Sequence, residues 1–172
     1  MSLKTRCMPI KMILSDVDGV LTSGAIEIDS QGNESKCFNT HDGYGIRLWR
    51  KAGYAFGLIT GRVSPCAERR AEELHLDVVR TGTFMKRKAV EEIAAERGLT
   101  LEEIAYIGDD FPDLPAIEAV GLGVAVPDAP HELRVAAEYT TKRSGGSGAV
   151  RDLIEMILRC QGKWNPSDDI TL

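Results

Sequence analysis

The chain has 172 residues, with 21 Lys and Arg against 26 Asp and Glu and a formal charge of −5. That length implies one domain over 1–172 with a sizeable core and little left for a second, and the acidic balance argues against general nucleic-acid binding. No run approaches the ~18 apolar residues of a membrane helix, the start "MSLKTRCMPIK" lacks a signal-peptide stretch, and Cys7, Cys37, Cys66 and Cys160 follow no metal or disulfide spacing, so free thiols in a reducing cytoplasm are expected.

Along the chain, apolar runs of strand length alternate with segments of helical period. "IKMILSD" (10–16) reads as a buried strand that ends in Asp16 and Asp18. The stretch 24–39, "GAIEIDSQGNESKCFN", alternates apolar and polar residues around "SQGN" and reads as a β-hairpin. "YAFGLIT" (54–60) is a second buried strand, followed by a charged helix over 63–75 and a short strand in "LDVVR". The helix 86–97 aligns Ala89, Val90, Ile93 and Ala94 on one face. Thr100 and Glu103 form a capping box ahead of the strand "IAYIG" (104–108). "LGVAV" (122–126) is a further strand, and "RSGGSGAV" (143–150) is a Gly-rich loop. It leads into an amphipathic helix carrying Val150, Leu153, Ile154, Ile157 and Leu158, with a loose tail over 164–172. Strand–helix alternation of this kind predicts an α/β fold, a doubly wound parallel sheet with helices on both faces.

In such sheets, ligands bind at the carboxyl ends of the strands. The first strand ends in Asp16 and Asp18, the second in Thr60, Gly61 and Arg62, and the third in Asp109 and Asp110, with Asp113 one turn on. Lys86 opens a helix after the short strand. Carboxylates this close repel one another unless a cation or shared protons relieve them. Hard oxygens from separate strands suit Mg²⁺, which keeps several waters and also takes phosphate oxygens. A hydroxyl, loop amides and a lysine beside it are the donors a phosphoryl group needs, and Asp16 is placed to act as a nucleophile.

DxDGV, ITGR, a lone lysine and GDDxxD, in this order and each at a strand end, resemble the haloacid dehalogenase-like phosphohydrolases. Over roughly residues 10–163, "DVDGVLT", the hairpin, "FNTHDGYGIR", "ITGR", "GDDFPDLP" and "GGSGAVRDLIEMILRCQGK" resemble a capless, tetrameric branch acting on phosphorylated sugar acids. The resemblance implies an aspartyl-phosphate on Asp16 and acid–base work by Asp18. It implies Mg²⁺ held by Asp16, the Asp18 carbonyl and Asp109, with Asp110 adjacent. Thr60 and the Gly61 amide would bind phosphate, and Lys86 would offset charge. Asn39, Thr40, His41, Asp42, Gly43, Arg47, Arg62, Arg70 and Asp110 would contact the substrate, together with Asp18, Gly61 and Lys86, where guanidinium forks suit a carboxylate.

An eight-carbon 3-deoxy-octulosonate phosphate of lipopolysaccharide synthesis is the implied substrate, with a nonulosonate 9-phosphate as the alternative. Ser23 stands where the branch has Asp, and Ser147 where it has a basic residue. A homotetramer is implied too, because 172 residues leave no room for a cap and the hairpin carries Ala25, Ile26, Ile28, Cys37 and Phe38.

Some positions stay open. Asp113 is either a ligand or a second-layer residue and cap, His41 a substrate contact or a surface residue, and Lys88 competes with Lys86. A domain of this family serving only assembly would not need Asp16, Asp18, Thr60, Lys86 and Asp109 together. A response-regulator receiver would need an aspartate where Thr60 stands.

Overall fold

The computed structural model describes residues 1–165, so the 164–172 tail lies outside the described residues from 166 on. A short helix α1 (Leu3–Cys7) precedes the central strand β1 (Met12–Ser15). The hairpin follows as β2 (Glu27–Ile28) and β3 (Glu34–Ser35), then helix α2 (Thr40–Lys51) and strand β4 (Ala55–Ile59). Next come α3 (Pro65–Glu73), β5 (Val78–Arg80), α4 (Lys86–Arg97), β6 (Ile104–Gly108), α5 (Leu114–Ile117) and β7 (Leu122–Ala125). The described chain closes with α6 (His131–Ala136), β8 (Tyr139–Thr140) and α7 (Ala149–Cys160).

Six strands make one parallel sheet in the order β5-β4-β1-β6-β7-β8. β1 sits between β4 and β6, Ser15 opposite Leu58 on one side and Ile107 on the other, so their carboxyl ends finish level. These strands are continuous apolar runs because helices cover both faces: Met12, Ile13 and Leu14 are fully buried, as are Ile104 to Ile107. α2 packs on α7, while α4 packs on α5. Right-handed crossovers put the two pairs on opposite faces. The capping box at Thr100 and Glu103 is formed and opens a 3₁₀ turn.

Five elements were not anticipated: α2 and the short α1, α5, α6 and β8. α2 runs through "THDGYGIRLWRK", whose Gly43 and Gly45 each disfavour a helix interior by about 1 kcal/mol. Their value is close packing. A Cβ at Gly43 would meet Arg70 Nη2 at 2.5 Å, and one at Gly45 would meet Arg151 Cδ at 2.9 Å. Buried Ile46 and Trp49, and the Asn39 side chain accepting from His41 N at 2.8 Å, supply the rest. α1, α5, α6 and β8 are too short to show a period. The hairpin is present but slender, two residues to each arm, its turn fastened by the Asp29 carboxylate to the Gln31 and Asn33 amides, both at 2.8 Å.

Candidate active site

The loop after β1 is held by its own backbone. Asp16 N donates to Ile107 O at 3.0 Å, and the amides of Val20, Leu21 and Thr22 converge on Val17 O at 3.0–3.3 Å. Gly19 has φ +90°, and a Cβ there would lie 2.0 Å from Asp109 Oδ2, so only glycine lets the two loops meet. The Gly-rich loop braces the same turn, Gly146 N donating to Val20 O at 2.9 Å.

A buried charge network lies beneath. Asp16 is 7 % exposed, and its Oδ2 sits 2.8 Å from Lys86 Nζ. Lys86 is held from behind by Asp113 Oδ1 at 2.6 Å, which also accepts from Tyr106 Oη at 2.6 Å. Asp113 Oδ2 accepts from the amides of Asp109 and Asp110 at 3.0 and 3.2 Å. Carboxylate oxygens of Asp16, Asp109 and Asp113 all lie within 4.8 Å of one another. Both oxygens of Asp113 are already occupied, so Asp113 positions Lys86 and the β6 loop, and Asp16 and Asp109 are the pair left to face a cation.

The cleft, of about 260 Å³, is lined by Asp16, Asp18, Thr60, Gly61, Arg62, Lys86, Asp109, Asp110 and, at its floor, the buried Asp113, with Phe84 at its wall. Lys88 pairs instead with Glu92 on the α4 surface, 3.7 Å away. The other residues implicated by resemblance stand elsewhere in the single chain. Thr40, Gly43, Arg47 and Arg70 line a separate groove of about 890 Å³ between α2 and α3. His41 is exposed on the first turn of α2. Asn39 caps α2 and donates to Gly146 O at 3.2 Å. Asp42 is 1 % exposed, its Oδ1 accepting from Arg151 N at 2.8 Å, and burial pushes its carboxyl up to about 6. The structure does not bring that carboxylate to the cleft; it caps α7. Ser23 and Ser147 are both exposed.

Two residues at the site carry no family motif. Lys36 ion-pairs with Asp18, and Glu34 pairs with both Lys36 and Arg62. The signal was the period of two in "ESKCF", which puts Glu34, Lys36 and Phe38 on one face.

The electrostatics fit a divalent cation. Burial, then the Asp113 carboxylate, push Asp16 up to about 6 despite Lys86 beside it. Burial, then Asp16 and Asp113, push Asp109 up to about 8. Too much negative charge shares too little water here, and hard oxygen donors are what Mg²⁺ takes.

A test follows. Each carboxyl binds its proton more tightly in the folded state, so its contribution is full below the ordinary value of 3.8 and is lost as pH rises towards about 6 for Asp16 and about 8 for Asp109. Metal-free protein is therefore expected to lose melting temperature between pH 4 and 8. A single MgCl₂ concentration, a hundred times the Kd at pH 8, restores about 2.7 kcal/mol there, and the gain at the same concentration is smaller at pH 5, where protons compete for the carboxylates. An equal gain at both pH values, or none, would dismiss a metal between Asp16 and Asp109.

A parallel sheet of this order, with strand-end aspartates beside a buried lysine–aspartate couple, defines a haloacid dehalogenase-like hydrolase, and residues 69–153 match that family's model. The 3-deoxy-D-manno-octulosonate 8-phosphate phosphatase KdsC of Haemophilus influenzae is 40 % identical over 159 residues, 92 % of this chain and 88 % of that protein. Its counterpart from Yersinia pestis is 41 % identical over 167 residues, 97 % and 89 % of the two chains. The crystal structure of the Moraxella catarrhalis phosphatase in complex with magnesium, phosphate and KDO aligns with a TM-score of 0.91 at 38 % identity, covering 92 % and 91 %. The chain belongs to this family, the 3-deoxy-D-manno-octulosonate 8-phosphate phosphatases.

Proposed function

We propose that this chain hydrolyses the phosphomonoester of 3-deoxy-D-manno-octulosonate 8-phosphate with Mg²⁺, the substrate in the relatives' name and the metal in the solved complex. One observation carries the reading. Asp16 is buried, held at one oxygen by Lys86, and opens onto a cleft that it shares with Asp18, Thr60 and Asp109.

Asp16, Asp109 and the Asp18 carbonyl would hold the metal, with Asp110 next to them. When bound, Mg²⁺ supplies positive charge that offsets the phosphate and the carboxylates. The Asp16 carboxylate attacks phosphorus while Asp18 gives a proton to the departing sugar oxygen, leaving an aspartyl-phosphate and a free alcohol. Asp18 then takes a proton from the water that attacks phosphorus, the acyl-phosphate P–O bond breaks, and Asp16 is regenerated. Thr60 and the Gly61 amide bind phosphate oxygens, and Lys86 keeps Asp16 ionised and aimed. Arg62, at the cleft wall, suits the sugar acid's carboxylate.

Phosphate release from a panel of sugar phosphates tests the substrate. The octulosonate 8-phosphate is expected to give the highest kcat/KM. Preference for a nonulosonate 9-phosphate would overturn the substrate and leave the phosphatase; release from none would favour an assembly role.

The groove that holds Thr40, Gly43, Arg47 and Arg70 supports a homotetramer, in which a neighbour brings this basic face to the cleft. Ile26 and Ile28 are 49 % and 64 % exposed on the hairpin, more apolar surface than one chain covers. Ile26→Asp is expected to dissociate the assembly and lower activity together. A fully active monomer by light scattering at assay concentration would end this reading. Among the described residues no helix is long and apolar enough to cross a membrane, and the free thiols support a cytoplasmic setting.

A further inference from the structure

Lys36 directly follows the far arm of a hairpin whose other residues are mostly exposed, and although the residue as a whole is half-buried, its side chain is only 1 % exposed. An ammonium is enclosed at that level only where anions hold it. Two do so here: Lys36 Nζ ion-pairs with Asp18 Oδ1 and lies 3.0 Å from Glu34 Oε1. Glu34 is itself anchored, its Oε2 paired with Arg62 and its Oε1 accepting from Ser64 Oγ at 3.0 Å. The ring closes at Arg62, whose buried Nε makes no hydrogen bond and points to Asp18 Oδ2 at 3.7 Å. Asp18 is thus gripped at one oxygen by Lys36 and faced at the other by Arg62, and the two cations share Glu34.

Asp18 and Arg62 line the cleft, whereas Lys36 and Glu34 do not. Their contacts are with protein, behind the residues that meet the ligand. A carboxylate side chain left unpaired samples several rotamers, and proton transfer in a transition state needs one of them.

Resting on the reading of Asp18 as the proton donor, we propose that Lys36 is a positioning residue for catalysis. With Glu34 it ties the hairpin to the cleft and fixes the Asp18 carboxylate where the leaving oxygen will be. The hairpin then has a role inside its own subunit, apart from any contact between subunits.

Leaving-group chemistry separates this role from a merely structural one. The alkoxide of a sugar phosphate needs a proton to depart, whereas the phenolate of 4-nitrophenyl phosphate leaves without one, and kcat/KM reports the steps through phosphorylation of Asp16. Lys36→Met, which keeps the stem and removes the charge, is expected to lower kcat/KM for 3-deoxy-D-manno-octulosonate 8-phosphate by about 10–10²-fold, chiefly through kcat. For the aryl phosphate it should change by less than about threefold. Lys36→Arg should recover most of the loss, and Lys36→Met should add little to Asp18→Asn. Equal losses on both substrates, a loss confined to KM, no loss, or full additivity with Asp18→Asn would each overturn the proposal. An Asp18→Asn enzyme that still turns over the sugar phosphate would instead bring down the reading of Asp18, and the proposal with it.

Discussion

Asp16→Asn is expected to remove phosphate release altogether, a loss of more than about 10⁴-fold, while making the metal-free protein more stable. The first half follows from the covalent route, since an amide cannot attack phosphorus as a carboxylate does. The second follows from the same burial that makes the site work. Asp16 lies within 4.8 Å of Asp109 and Asp113 oxygens, with Lys86 the cation shared by Asp16 and Asp113. Its carboxyl is pushed up to about 6 by burial and by Asp113, so at neutral pH its ionised form strains the fold. Removing that charge leaves Lys86 paired with Asp113 and is worth on the order of 2 kcal/mol, larger at pH 8 than at pH 5. Chemical denaturation without metal, alongside a phosphate-release assay, reads both halves. Substantial turnover in Asp16→Asn excludes it as the nucleophile, and a drop in metal-free stability excludes the electrostatic account.

The strand ends were legible because each motif is contiguous: Asp16 and Asp18, Thr60 to Arg62, and Asp109 to Asp113 follow directly on buried runs that need no partner to be recognised. α2 was not legible. Its two glycines argue against a helix, and what pins it there, the Asp42 cap on the Arg151 amide, joins residues 109 positions apart. Lys36 and Glu34 could be put on one face of the hairpin by their spacing, but which way that face turns is set by Asp18 and Arg62. Arg47 and Arg70 share the resemblance with the cleft residues, yet in one chain they open onto another groove. A shared sequence pattern does not say that its residues open onto one groove.

Asp113 illustrates the same limit and carries the second large effect. "FPDLP" allowed a ligand or a helix cap, and the choice depended on Lys86 and Tyr106, 27 and 7 positions away. With both oxygens taken, Asp113 is the buried anchor of four donors: the lysine, the tyrosine and two loop amides. Asp113→Ala leaves the Tyr106 hydroxyl and both amides without their acceptor and gives Lys86 a single anion in place of two. Breaking a buried pair in this way costs about 3–5 kcal/mol. Asp113→Asn keeps the shape but turns an NH₂ towards donors on one side or the other, so it should recover little of that loss. Activity should fall further than stability accounts for, because Lys86 no longer fixes the Asp16 oxygen and the Asp109 loop loses its tie. Urea denaturation, with kcat measured where both proteins are folded, distinguishes the two effects. Unchanged urea midpoints in Asp113→Ala would show that the donors find other partners, and an unchanged kcat would show that Lys86 holds Asp16 in place without help.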